Sequence, residues 1–279
     1  MKKFQEFLRE KQYLQNVSAH TLRWYRFALN WLPNDNPNAA DLKLMVVKMR
    51  EAGLKATGCN AAIRAINCYL HWVNVGEGKC NAGCKHPRVA KLKEEEQIMP
   101  TFSAEQVRLM LSFKPHTDFE RRLHLLIMIL LDTGCRISEA LELRVEDVDL
   151  DNLLLTLHGK GRKDRKVPFS LPLRKALFKY LAGRTGRLFT THGGSAWTRL
   201  NAYLSVKHHC RERLGFEPPP RTLHAMRHTA ASNFVARGGS SFHLMRLLGH
   251  TTIAMSSKYV RLSTTDLAET HQRVSLLNA

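Results

Sequence analysis

Acidic side chains are scarce in this chain: 24 Asp and Glu stand against 43 Lys and Arg among 279 residues. No clustered Asp and Glu motif of the kind that holds paired magnesium ions stands out, so two-metal chemistry on carboxylates is not expected. Long apolar runs are missing as well. The longest, Leu125 to Leu131, is far too short to span a bilayer. The opening MKKFQEFLREKQ follows its lysines with charges alternating with Phe and Leu, not with the apolar core of a signal peptide. These absences argue against membrane insertion and export, and a cytoplasmic protein is expected. The cysteines, Cys59, Cys68, Cys80, Cys84, Cys135 and Cys210, are scattered over a chain too large to need disulfides, so reduced thiols are expected. Cys80, Cys84 and His86 approach metal-ligand spacing, but no second ligand pair follows at finger-like distance. They read as connector residues, and no metal or other cofactor is expected. There is no internal repeat and no low-complexity tract.

What is present is positive charge on a folded chain. The net charge is +19, and 44% of residues are apolar, interrupted by regular turn signals. Such an excess suggests a polyanionic partner. It is not confined to a tail: residues 1 to 93 carry 16 basic and 6 acidic side chains, +10, and the remainder carries +9. Both parts are therefore expected to face the polyanion. The length fits two domains, one of about 90 to 100 residues and one near 180.

Helical spacing of Phe4, Phe7 and Leu8, then of Leu22, Tyr25 and Leu29 after Ser18 and Thr21, predicts two helices, the second closed by Pro33. Asp41 is a candidate cap for a third helix ending near Arg50 and Gly53, and a fourth runs from about Thr57 to Trp72. Residues 76 to 99 hold three glycines, a proline, four lysines and three consecutive glutamates, which reads as a connector. Beyond it, Ser103 with Gln106 has the form of a capping box, Arg121 to Asp132 reads as a buried helix, and a further helix follows Gly134. Residues 153 to 169, LLLTLHGKGRKDRKVPF, alternate into two strands around a Gly-Lys-Gly turn. Helices are expected near 171 to 182, 195 to 214, 222 to 237 and 241 to 248, with Gly238 and Gly249 as C-terminal caps, then a short one carrying Tyr259. The fold class is mainly α with a small β-hairpin: a helical bundle at residues 1–82, a linker at 83–98 and a second domain at 99–279.

Four stretches need a joint explanation: TGCRISEALEL with Arg136, HGKGRKDRKVP with Lys160, LHAMRHTAA with His224 and Arg227, and LLGHTTIAMSSKYV with His250 and Tyr259. Each has a plain structural alternative. Arg136 can cap a helix, Lys160 can be a solvated hairpin lysine, His250 can close a helix and Tyr259 can be core. Together they supply what phosphodiester transesterification needs without metal ions, namely fixed cationic donors for the extra negative charge of a pentacoordinate transition state. Two guanidinium groups can clamp nonbridging oxygens bidentately. His224 and Arg227, three apart on a helix, project from one face and can reach one phosphate.

In order and spacing these motifs resemble the catalytic set of the tyrosine recombinase (phage integrase) family, which includes the Xer recombinases. The resemblance covers almost the whole chain, from the Ser18, Thr21 and Tyr25 pattern to Tyr259, nine residues after His250. It implies a SAM-like core-binding bundle followed by a tyrosine recombinase catalytic domain, and an enzyme that cuts and rejoins double-stranded DNA through a 3′-phosphotyrosine and a Holliday junction. By that resemblance Arg136 and Arg227 bind the scissile phosphate, His250 donates a hydrogen bond to it, and His224 accepts the proton of the nucleophile Tyr259. Lys160 protonates the leaving 5′ oxygen, and no ATP is required. Glu139, one turn after Arg136, reads either as a buttress of the arginine cluster or as an exposed helix charge. Lys163 and Lys166 share the hairpin with Lys160, and His228 reads as packing against the adjacent helix. The resemblance further implies a homotetramer on two duplexes with inverted-repeat core sites, with a tail helix from Thr264 to about Leu277 that docks into a neighbouring subunit. A bundle starting at Phe4 is expected to leave no room for an arm-binding domain ahead of it. Two other classes share part of this pattern. A type IB topoisomerase shares the chemistry but acts as a monomer, and a silent DNA-binding regulator keeps the charge but need not keep all six groups.

Overall fold

Spacing of apolar residues and side-chain caps account for most element boundaries in the computed structural model, which describes residues 2–76, 88–94, 99–159, 164–250, 252–257 and 259. Two compact units divide at Gln97 and Ile98. No helix among the described residues is long and apolar enough to cross a membrane.

The first unit contains α1 (Lys2–Tyr13), α2 (Ala19–Leu29), α3 (Ala39–Glu51) and α4 (Ala56–Gly76). Ser18 caps α2 by accepting from the Thr21 backbone N–H. For α3 the cap is Asn38, not Asp41. Asp41 sits one turn in and closes a capping box by accepting from the Asn38 N–H, while the Asn38 side chain accepts from the Ala40 and Asp41 N–H groups. The bundle core is aromatic at one end. Phe7 meets Tyr25 and Tyr69 edge to face at centroid distances of 5.1 and 5.4 Å, an arrangement that adds to the apolar area each ring buries.

Part of the stretch read as a connector is docked rather than solvated. Asn67 and Asn60, two turns apart on α4, each clamp an extended segment through both amide atoms: Asn67 pairs with the N–H and C=O of Val89, and Asn60 with those of Leu92. A carboxamide offers a donor and an acceptor with the spacing of a peptide group, so two of them imitate a strand partner. The side chains of Val89 and Leu92 pack on the bundle core. Cys80, Cys84 and His86 lie outside the described residues.

The second unit is built on α6 (Asp118–Thr133), flanked by α5 (Ala104–Ser112), α8 (Leu171–Leu181), α9 (Arg199–His208) and α10 (Thr222–Ala236). Leu123, Leu125, Leu126, Ile127, Ile129 and Leu130 are buried on α6, so its apolar run is a core helix. The box of Ser103 with Gln106 opens α5. A three-stranded antiparallel sheet joins β1 (Val148–Asp149), β2 (Leu154–Leu157) and β3 (Arg165–Pro168), with Leu157 opposite Arg165 and Leu155 opposite Val167. The short β1 adds a third strand to the hairpin the alternation predicts. The hairpin stem is closed by His158, whose ring contacts Asp147 at 2.9 Å and Asp164 at 3.1 Å. Lys160 and Lys163 lie outside the described residues.

Around the α9 end the helix widens into a π turn, His209–Arg213, that turns His209 inward. His209 packs edge to face on Phe113 at 4.5 Å and is 3% exposed. Burial, assisted by the neighbouring His124, holds its pKa down from 6.5 to about 4. The folded protein thus refuses a proton that the unfolded chain accepts, and stability present above about pH 6.5 is lost as pH falls toward 4. His209→Phe is expected to flatten that part of the profile. Thermal midpoints of the variant and the parent between pH 7 and pH 4 would converge as pH falls; parallel curves would contradict the assignment.

Candidate active site

The site grows from the C-terminal end of α6. Gly134 ends the helix in the left-handed conformation, φ +61°, which costs glycine nothing. A Cβ there would also stand 2.8 Å from Leu248 Cδ2. The reversal sets Arg136 at the N-terminus of α7 (Ile137–Glu142), where its backbone N–H donates to Glu139 Oε2 at 2.7 Å and its Nη1 to Glu139 Oε1 at 2.9 Å. Glu139 is 5% exposed. Glu139 is thus a buried carboxylate paired with Arg136 and not an exposed helix charge.

A residue not singled out in the sequence completes this cluster. Arg165, the first residue of β3, donates both Nη atoms to Glu139, each at 2.8 Å. The alternation of β3 carried a signal for it: Arg165 lies on the same strand face as the buried Val167, whereas exposed Lys166 lies on the other. A charged residue on an inward strand face requires a partner. Burial pushes the Glu139 carboxyl up, but the Arg165 fork, the Arg136 N–H and the charge of Arg165 outweigh it and hold the pKa at about 2.

Arg227 and His224 stand one turn apart on α10, with Arg227 7% exposed and His224 exposed. Arg227 donates to Gly134 O at 2.8 Å and to Leu248 O at 2.9 Å, and its Nη2 lies 3.1 Å from His250 Nε2. Burial, then the like charge of Arg136, lower its pKa to about 10, which leaves it cationic at neutral pH. A guanidinium only donates, so Nε2 of His250 accepts. That assigns the ring proton to Nδ1, which contacts Ser256 Oγ at 2.8 Å. Donation to a phosphate through the same Nε2 therefore requires His250 to leave Arg227 or take a second proton.

His250 follows α11 (Ser241–Leu248), and Gly249 caps that helix at φ +63°. Ser256, fully buried in the short α12 (Ala254–Ser257), accepts the Tyr259 backbone N–H at 3.1 Å. Tyr259 lies in the turn just past α12, not within it as the sequence suggests; the helix stops at four residues. Its ring packs on the cluster of Ala231, Leu244 and Leu248. Its phenol oxygen is 2.6 Å from Nδ1 of His228, a histidine the sequence reads only as packing. Burial raises the phenol pKa and the charge of Arg227 opposes the rise. The structure thus brings Arg136, Glu139, Arg227, His250 and Tyr259 to one end of α11, with Arg165 and His228 added.

A cationic cluster with a half-buried phenol beside it has the composition of a phosphoryl-transfer centre that works through a covalent tyrosine. The phage integrase family model matches residues 100–266. The chain belongs to the phage integrase family. It is similar to the tyrosine recombinase XerA of Pyrococcus furiosus, with 26% identity over 273 residues, 95% of this chain and 91% of the relative. The tyrosine recombinase XerC of Pseudomonas aeruginosa is 27% identical over 290 residues, 97% of this chain and 92% of the relative. In fold it is similar to the Tn1549 transposon integrase, solved in complex with a circular intermediate DNA, at TM-score 0.80 and 20% identity over 98% of this chain and 99% of that one.

Gly134→Ala tests the turn on which the cluster rests. A side chain there meets both the backbone strain and Leu248, and a loss of roughly 1–3 kcal/mol is expected in urea unfolding of the full chain. A loss below about 0.5 kcal/mol, within the range of ordinary surface substitutions, would show that the turn tolerates a Cβ.

Proposed function

We propose that this protein is a site-specific DNA recombinase that cleaves and rejoins strands by attack of Tyr259 on a phosphodiester. The observation that carries the reading is the convergence of Arg136, Arg227, His250 and Tyr259 on one helix end, in a chain of this family. Attack by the phenol oxygen joins Tyr259 to the phosphorus, which stays on the 3′ oxygen of one strand end, and breaks the bond to the 5′ oxygen, which leaves as a 5′ hydroxyl. Because the phosphotyrosine conserves the bond energy, religation needs no ATP. Arg136 and Arg227 neutralise the nonbridging oxygens, and His250 adds a hydrogen bond. His224 takes the phenol proton as the oxygen attacks. In the resting arrangement His228 is the imidazole in contact with that phenol, which supports a role in holding the nucleophile one turn away from His224. Lys160, between β2 and β3 in sequence, protonates the leaving 5′ oxygen; of its alternatives Lys166 lies on the strand face opposite Arg165, and Lys163, like Lys160, lies outside the described residues.

The net charge of both parts of the chain supports DNA binding by each unit. Membership of the family supports a homotetramer on two duplexes with inverted-repeat core sites, linked by residues 264–279, which lie outside the described residues. An apolar pocket of about 350 Å³ on the catalytic unit, lined in part by Val107, Leu111, Met128, Phe234 and Leu247, has the size and polarity to receive apolar side chains of such a tail.

The covalent step is tested on a nicked suicide duplex in excess EDTA, with covalent complexes resolved on a denaturing gel. Tyr259→Phe is expected to bind DNA and give no covalent band, while Arg136→Ala and Arg227→Ala bind but lose on the order of 100-fold or more in cleavage. A band persisting in Tyr259→Phe, or a requirement for metal, would overturn the reading. Truncation after Ser263 is expected to spare binding to one site and to impair pairing of two sites in a native gel; unimpaired pairing would remove the tail from the assembly.

A further inference from the structure

Three arginines end on three consecutive carbonyl oxygens at the C-terminus of α11: Arg165 on Leu247 at 3.3 Å, Arg227 on Leu248 at 2.9 Å and Arg136 on Gly249 at 3.3 Å. One carboxylate, Glu139, lies among them. Charge accounting separates the three. Arg136 is the exposed member, with 41% of its side chain accessible, whereas the Arg165 side chain is 16% accessible and that of Glu139 5%. A buried carboxylate takes the best cation in reach, because leaving it unpaired in a low dielectric is costly. Were Arg136 the only cation beside Glu139, the pair would be close to neutral, and Arg136 would have little field left for a phosphate. Arg165 removes that conflict. Its planar fork matches both carboxylate oxygens, and its Nε–H is spent on Leu247 O, so its own donors point into the protein. The fit is close: a Cβ on Gly249 would lie 3.1 Å from the Arg165 guanidinium.

We infer that Arg165 is a positioning residue that serves as the counter-ion of Glu139, so that Glu139 can orient Arg136 without neutralising it. The inference rests on the reading of Arg136 as a phosphate-binding group. It also ties the hairpin strand that carries Arg165 to the arginine cluster, since the same fork that offsets Glu139 anchors the first residue of β3.

The test is single-turnover formation of the covalent complex by the full chain, with DNA affinity and the thermal midpoint measured alongside. Arg165→Gln keeps a shorter polar side chain and removes the charge, so Glu139 turns to Arg136 and cleavage is expected to fall on the order of 100-fold, with DNA affinity changed less than about threefold. Arg165→Lys keeps the charge, loses the fork and is expected to lose less than about tenfold. The decisive arm is the double variant Arg165→Gln with Glu139→Gln. With the uncompensated carboxylate gone, it should cleave about tenfold or more faster than Arg165→Gln alone, which a merely structural role for Arg165 does not predict. A double variant no faster than Arg165→Gln, or Arg165→Lys as slow as Arg165→Gln, would overturn the inference. Should Arg165→Gln not fold, Arg165→Met makes the same comparison. Arg136→Ala in the same assay keeps the two readings apart: normal cleavage there would sink the assignment of the site itself, whatever the Arg165 variants do.

Discussion

The end of α11 is the feature on which the catalytic unit depends. A helix C-terminus carries carbonyl groups with no partner inside the helix and a partial negative charge. Here those carbonyls collect guanidinium groups from β3, α10 and the N-terminus of α7, three elements distant in sequence. Each arginine would be expensive to bury alone. Anchored on the same short run of oxygens, with Glu139 between two of them, they form a cluster whose surplus positive charge is held by Arg136 and Arg227. A surplus of positive charge at fixed positions is what a phosphorane-like transition state requires, since donors already oriented need not reorganise as charge develops.

The same helix end also positions Tyr259. Gly249 reverses the chain, His250 follows at once, and Ser256 joins the ring of His250 to the backbone of Tyr259. Arg227 and the Tyr259 backbone are thus linked through His250 and Ser256. His228 holds the phenol oxygen from the opposite side. Neutral His250 accepting from Arg227 is a resting arrangement. A phosphate arriving between Arg136 and Arg227 competes for the Arg227 donor and leaves His250 Nε2 to be satisfied another way.

Within the first unit a different economy operates. Its helices are held by an aromatic core and by two asparagines that hydrogen-bond an extended segment as a strand would. Nothing in the local composition of residues 88–94, which are basic and aperiodic, signals this docking. The signal lay in the partner: Asn60, buried, and Asn67, half-buried, stand two turns apart on α4 among its buried apolar residues, and polar groups so placed demand hydrogen bonds.

The sequence by itself determined the class of fold, most helical elements and a candidate set of residues for the chemistry, because periodicity, caps and motif spacing are local properties written over three to twenty residues. It also assigned the sign of the partner, since net charge survives any folding. The tertiary structure alone decided how those residues are wired. That Glu139 is a buried counter-ion, that Arg165 shares it, that Arg227 spends two donors on Gly134 and Leu248, and that His228 meets Tyr259 all depend on contacts between residues from 21 to 93 positions apart. A charge on a strand or helix face has the same local signature whether it meets water or another charge. Burial in a low dielectric separates the two, and only packing of the whole unit creates that burial.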